Sequence, residues 1–155
     1  MSQFFVAVYN ESMQELLGRL REDYPDLRFR EGKRFCFRPV RTIIFDAAGL
    51  DKFKDLGVDE QKYWCLQLLH EVGHALLEHK NFVTDTERLK MERAAWERAH
   101  KLCVTYGIEY DEDFVEAELD TYRNWLHRKS CCSKCGLTRC QLRSGKYYCP
   151  NCDML

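Results

Sequence analysis

Residues 70–74 read His70-Glu71-Val72-Gly73-His74, an H-E-x-x-H run set in an apolar segment. Two histidines four apart on a helix stand one above the other, about 6 Å of rise apart, so both imidazoles can reach one ion. Glu71 is expected to face the same cleft. There it acts as general base, holding and deprotonating a water whose pKa zinc lowers to about 7. A central apolar helix has no cheap reason to bury two imidazoles and a carboxylate otherwise. Gly73 costs a helix about 1 kcal/mol, so its presence predicts the close approach of another backbone.

A catalytic zinc takes a third protein ligand. Glu78 shares a helix face with His70 and His74, but its rise of about 12 Å from His70 is too long for one ion. Further on, Leu89, Glu92, Trp96, Ala99, Cys103 and Tyr106 follow in steps of three and four. That is one inward stripe with a single carboxylate. A buried anion needs a partner, and zinc on the neighbouring helix supplies it. Glu92 is therefore the expected third ligand, with His100, which flanks the stripe, as the alternative. Glu87 and Glu97 lie off the stripe and are expected to be solvated. Tyr106 and Tyr110 are the candidate oxyanion donors.

The cysteines form a second constellation. Six of the nine fall within residues 131–155. Cys132 and Cys135, then Cys149 and Cys152, make two C-x2-C knuckles with 13 residues between them. Paired thiolates from two tight turns give a closed tetrahedral zinc site, structural because it keeps no open position. A segment of about 20 residues has too little core to fold without the metal. Gly145 marks a hairpin turn, and Lys146-Tyr147-Tyr148 leads into the second knuckle. Cys131 and Cys140 are left over, as spare thiols or as replacements for one of the four ligands. Cys36, Cys65 and Cys103 lie in apolar segments and read as small buried hydrophobes. The expected cofactors are two Zn2+ per chain, one catalytic and one structural.

The elements that must hold these groups follow from periodicity. Asn10-Glu11-Ser12 offers caps, and Met13, Leu16, Leu17 and Leu20 follow at helical spacing, ending before Pro25. Phe4 to Tyr9 fits either a strand or that helix's first turns. Leu27–Arg30 and Arg34–Phe37 alternate apolar and basic residues around Glu31-Gly32-Lys33, which predicts a hairpin. Arg41–Asp46, rich in β-branched residues, is a third strand. If Thr42–Phe45 is an edge strand beside the cleft, it can pair with an extended substrate. Asp59 is expected to cap a long buried helix to about Lys80. A second long helix starts at Thr84 or Asp85 and runs to about Tyr106, where Gly107 stops it. A third runs from about Asp111 to Lys129. The fold class is α+β and zincin-like: a small three-stranded sheet, a buried H-E-x-x-H helix, two further long helices and a C-terminal zinc ribbon.

The chain has 155 residues, 45% apolar and 32% charged, with a formal net charge of −1. A uniformly basic nucleic-acid binder is excluded. The balance is uneven, however. From His127 on, six bases (Arg128, Lys129, Lys134, Arg139, Arg143, Lys146) face one acid, Asp153. The expected division is a mildly acidic metallopeptidase domain, 1–127, and a basic ribbon, 128–155. No run approaches 18 apolar residues, so no span is expected. The first residues lack the basic region and cleavage site of a signal peptide. An odd cysteine count without such a peptide points to a reducing, cytoplasmic setting.

His70-Glu71-Val72-Gly73-His74-Ala75-Leu76-Leu77, followed by Glu92-Arg93-Ala94-Ala95-Trp96, resembles the ImmA/IrrE family of metallopeptidases. The resemblance covers about residues 10–127. It implies a gluzincin-like set in which His70, His74 and Glu92 bind zinc and Glu71 is the base. It also implies an endopeptidase whose protein substrate is a helix-turn-helix repressor of a mobile element or of a stress response. The family's commoner downstream pattern is Glu-Ala-Asn, which leaves subfamily and substrate open. A protease followed by a ribbon also looks like SprT/Spartan-type proteases, which act on DNA-bound proteins, but their third ligand is a histidine with no counterpart here. A third reading is a non-proteolytic regulator whose zinc domain binds a partner. Arg128, Lys129, Arg139, Arg143 and Lys146 are candidates for nucleic-acid or partner contacts; bracing a terminus is the alternative role for the ribbon.

Overall fold

The computed structural model describes residues 13–39, 41–52 and 55–153. The chain is mixed helix and strand. Helix α1 spans Met13–Asp23, and strands β1 (Arg28–Gly32), β2 (Cys36–Arg38) and β3 (Thr42–Asp46) follow. Next come a short α2 (Ala47–Asp51) and the long helices α3 (Val58–Leu76), α4 (Asp85–Tyr106) and α5 (Glu112–Ser130). Two short strands, β4 (Cys140–Gln141) and β5 (Tyr147–Tyr148), close the chain. The caps and the Phe4–Tyr9 segment considered above lie outside the described residues.

The chain divides into two compact units, residues 1–79 with 94–111, and residues 80–93 with 112–155. Helix α4 is continuous and contributes to both. In the first unit, α1 buries Met13, Leu16, Leu17 and Leu20, the apolar face its spacing predicts. Ile43 and Phe45 of β3 are buried, as are Trp64, Leu66, Leu68, Leu69 and Val72 of α3. In the second unit, Val115 and Leu119 of α5 are buried. The Arg88 guanidinium there lies over the rings of Phe82, Tyr122 and Trp125 at 5.5, 5.2 and 5.1 Å.

The sheet departs from the expected pairing. Its order is β1-β3-β2, with β1 parallel and β2 antiparallel to β3. The hairpin is therefore β2–β3, and β1 does not pair with β2. The reason is burial. β3 is the one strand with two fully buried apolar side chains, Ile43 and Phe45, so it takes the centre. The charged flanks of β1 (Arg28, Arg30) suit an edge. Gly32 serves close packing instead of a turn: a Cβ there would overlap Cγ2 of the Ile44 side chain. Thr42–Phe45 is consequently the middle strand, and the edges are β1 and β2.

Two helix limits also differ. α3 starts at Val58 with Gly57 as its N-cap, where Glu60 Oε2 accepts the Gly57 N–H at 3.0 Å. Asp59 sits in the first turn, where its charge suits the helix dipole. α3 ends at Leu76 instead of Lys80, because Glu78 adopts a left-handed conformation, φ 52°. At the start of α4, Thr84 Oγ1 accepts the Glu87 N–H (3.2 Å) and Glu87 Oε2 accepts the Thr84 N–H (3.0 Å). That reciprocal capping box identifies Thr84 as the N-cap.

Candidate metal centres

The α3 motif is carried by a helix whose apolar residues leave His70 and His74 buried, 4% and 8% exposed. Their Nε2 atoms lie 3.0 Å apart, with the rings nearly perpendicular. His70 packs on Trp96 of α4, ring centroids 4.2 Å apart. Gly73 is what lets α4 approach. A Cβ at this position would stand 2.5 Å from the Ala95 carbonyl oxygen. The backbone approach that the sequence predicts for Gly73 is thus that of α4.

The predicted stripe on α4 is inward: Glu92, Trp96, Ala99, Cys103 and Tyr106 are buried and Leu89 is half-buried. Glu92, one turn before Trp96, offers a carboxylate oxygen within 4.8 Å of a ring nitrogen of His70 and of His74. Two nitrogens 2.0–2.1 Å from one tetrahedral ion would be about 3.3 Å apart, close to the separation found. Two neutral imidazoles and one carboxylate are a donor set that can hold a divalent metal ion and leave a coordination position open. Glu71 is half-buried beside His70 on α3.

The other candidates have the following surroundings. Glu87 and Glu97 are exposed, as expected. Glu78 is exposed and pairs with Arg41 at 2.8 Å. His100 is exposed and stacks on Tyr110 at 4.2 Å. The buried Tyr106 hydroxyl donates to Asp23 at 2.7 Å, and burial followed by that carboxylate raises its pKa strongly. Cys103 is buried, which pushes its thiol up to about 12, whereas Cys36 and Cys65 are only half-buried.

In the second unit, one sulfur each from Cys132, Cys135, Cys149 and Cys152 falls within a 4.8 Å cluster, and Cys135 Sγ is 3.6 Å from Cys149 Sγ. Sulfurs 2.3 Å from a tetrahedral ion would be about 3.8 Å apart, so the four thiols fit one ion. The knuckle backbone favours thiolate. The N–H groups of Cys135 and Lys134 lower the Cys132 thiol to about 6. Cys131 and Cys140 stay outside the cluster; Cys131 Sγ lies 3.9 Å from His127 Nε2. The hairpin predicted at Gly145 is β4–β5, with Gly145 at φ 81°.

No family model, curated protein or solved structure matches the chain.

Two of the basic ribbon candidates already have partners inside the second unit. Lys129 Nζ pairs with Asp85 at 2.8 Å, and Arg139 donates to the Lys129 carbonyl at 2.6 Å while lying over Tyr147. Arg128, Arg143 and Lys146 are exposed. Two residues escaped the sequence reading. Asp85, only 3% exposed, gathers Lys129, Tyr147 and Gln141. His79 places Nδ1 2.8 Å from Nδ1 of His74. The signal for His79 was a third histidine five residues after the motif, but no helix spacing rule joins i and i+5; the end of α3 does.

Proposed function

We propose that this chain is a zinc metalloendopeptidase of the ImmA/IrrE type, and that its substrate is a regulatory protein, a helix-turn-helix repressor of a mobile element or stress response. The observation that carries the reading is the convergence of His70, His74 and Glu92 within 4.8 Å on buried helix faces, next to Glu71. Zinc held by these three residues would supply a Lewis acid for the scissile carbonyl and an acidified water. Glu71 would take the proton of the attacking water and hand it to the leaving amine. Buried walls around His70 and His74 exclude bulk water, which strengthens each electrostatic contact there.

An edge strand beside the motif helix supports the peptide-substrate part of the reading. β2 occupies that edge, in the role first expected of Thr42–Phe45, and Phe37 stacks on His74 with centroids 6.1 Å apart and planes 9° apart. An extended substrate segment would add to β2 through backbone hydrogen bonds. The four-cysteine ribbon would be structural, and its remaining exposed bases, Arg128, Arg143 and Lys146, would be the ones to meet nucleic acid or an acidic partner.

The test compares wild type with Glu71→Gln on a helix-turn-helix repressor, taken from a neighbouring gene where one is found, with zinc content measured in both. Wild type should cut the repressor. The variant should keep its zinc and lose about 10²–10⁴-fold in rate. A variant that keeps full biological activity with zinc bound would replace the protease with a non-proteolytic binder. Cleavage that occurs only on DNA would favour the SprT/Spartan-type reading.

A further inference from the structure

The end of α3 is built in an unusual way, and it delivers one side chain to the motif. Leu77 follows the helix, and Glu78 takes a left-handed conformation at φ 52°. The Glu78 N–H reaches the Ala75 carbonyl at 3.1 Å, and the His79 N–H reaches the His74 carbonyl at 3.1 Å. This pair of bonds is a Schellman cap, which normally places glycine where Glu78 stands. Here a non-glycine residue stands in that place, and its carboxylate pairs with Arg41, itself left-handed at φ 56°, at 2.8 Å. The cap turns the chain back on its own last turn. It brings His79 onto His74, with ring centroids 4.9 Å apart and Nδ1 to Nδ1 2.8 Å.

We propose that His79 is a positioning residue for His74: its Nδ1 accepts the His74 Nδ1–H and thereby fixes the tautomer that leaves His74 Nε2 free to bind metal. The inference rests on reading His70, His74 and Glu92 as a metal site. His74 presents Nε2 toward His70 Nε2 at 3.0 Å, so its Nδ1 is the outward nitrogen, and an imidazole that ligates through one nitrogen carries its proton on the other. An acceptor at that outer nitrogen orients the ring and raises its basicity, and outer partners of this kind typically contribute 10–100-fold to metal affinity. An imidazole that accepts through Nδ1 differs from the usual carboxylate in bringing no negative charge. It fixes the ring without adding charge to a site whose three ligands already carry one negative charge.

The test uses the full chain with His79→Phe, which keeps a ring and removes the acceptor, and His79→Asn, whose Oδ1 falls near the place of Nδ1. Zinc affinity is read by chelator competition, and the four-cysteine site serves as internal reference through its thiolate-to-cobalt absorption. The tautomer of His74 is read in the metal-free protein from imidazole 15N shifts. His79→Phe should weaken the His70/His74/Glu92 site about 10–100-fold, leave the four-cysteine site unchanged, and lose the Nδ1–H preference of His74. His79→Asn should restore most of both. A merely structural His79 would lower the melting temperature of His79→Phe without moving affinity or tautomer, and that result overturns the proposal. A wild-type chain that takes up metal at the four cysteines alone overturns the metal-site reading and His79's role with it. Wild-type affinity in His79→Phe overturns the role of His79 alone.

Discussion

Gly73 is the residue on which the approach of α4 to the motif helix depends. A Cβ there would lie 2.5 Å from the Ala95 oxygen and 3.3 and 3.4 Å from the carbon atoms behind it, all backbone of another helix. Alanine prefers the helix interior by about 1 kcal/mol, so Gly73→Ala would stabilise α3 if space were free. Space is not free, and pushing two helix backbones apart costs about 1–3 kcal/mol with little relief from rotamer change. The expected outcome is a net loss of about 1 kcal/mol in urea melts, accompanied by weaker metal retention, since His70 and His74 flank the contact. A variant as stable as wild type would mean that the helices are looser than they stand here. The sequence announced this residue because glycine in a buried helix is costly and therefore informative. It announced Glu92 for a similar reason, as the one carboxylate on an apolar stripe. It did not announce His79, whose partner is set by a left-handed Glu78 that pairs with Arg41, 37 positions away.

At the level of elements, the start of α4 is tied to the ribbon and to α5 by Asp85. Its carboxylate accepts from Lys129 Nζ (2.8 Å), Tyr147 OH (2.7 Å) and Gln141 Nε2 (3.1 Å), while its own N–H donates to Gln141 Oε1 at 2.8 Å. Burial by itself would raise the Asp85 pKa, but the hydrogen bonds from Lys129 and Tyr147 and the Lys129 charge outweigh it and hold the carboxyl below its ordinary value. A carboxyl whose folded pKa is depressed adds stability that is fully present above the unfolded value near 3.9 and is lost as pH falls through the lower folded value. Asp85→Asn should therefore cost about 2 kcal/mol at neutral pH, discounted from a fully buried pair because Lys129 is half-exposed. The gap between variant and wild type should stay level from about pH 5 upward and close below about pH 4. Urea melts across pH give both numbers; a gap that does not narrow as the pH falls would place the effect in packing, not charge. Helices of this length were legible from their stripes, and α4 also from its Thr84 cap, whereas α3 takes Gly57 and not Asp59 as its cap and stops at Leu76. The sheet was legible as strands but not as an order, because alternation in Arg28–Arg30 and Arg34–Phe37 marks an exposed face and says nothing about the neighbour. The decisive fact was that β3 buries Ile43 and Phe45 and so displaces the other two to the edges.

For the whole molecule, composition is an average over unlike parts. A net charge of −1 combines a mildly acidic body with a basic tail, and nine cysteines divide into four clustered thiols and five others. Among the described residues no helix is long and apolar enough to cross a membrane, and two groups of side chains can each hold a metal ion. Their chemistry differs, and so should their response to metal removal. The four thiols are a closed set, and a metal ion bound by them would hold together a segment whose regular structure amounts to two strands of two residues. Metal bound there is folding free energy, so its removal should unfold the ribbon, and acid should release it as the thiolates take up protons. The His70/His74/Glu92 set sits on two helices that bury their own apolar faces, so its emptying should leave helix content unchanged. The chain should purify with two zinc ions. Cys135→Ser with Cys149→Ser should reduce the count to one and lose the ribbon's protection from hydrogen exchange, whereas His70→Ala should reduce it to one with the circular-dichroism spectrum intact. A wild-type count of one, with either variant unchanged from it, would remove the corresponding site. If His70→Ala instead cost helix content, the motif helix would depend on metal for its fold, and the two centres would be alike in kind.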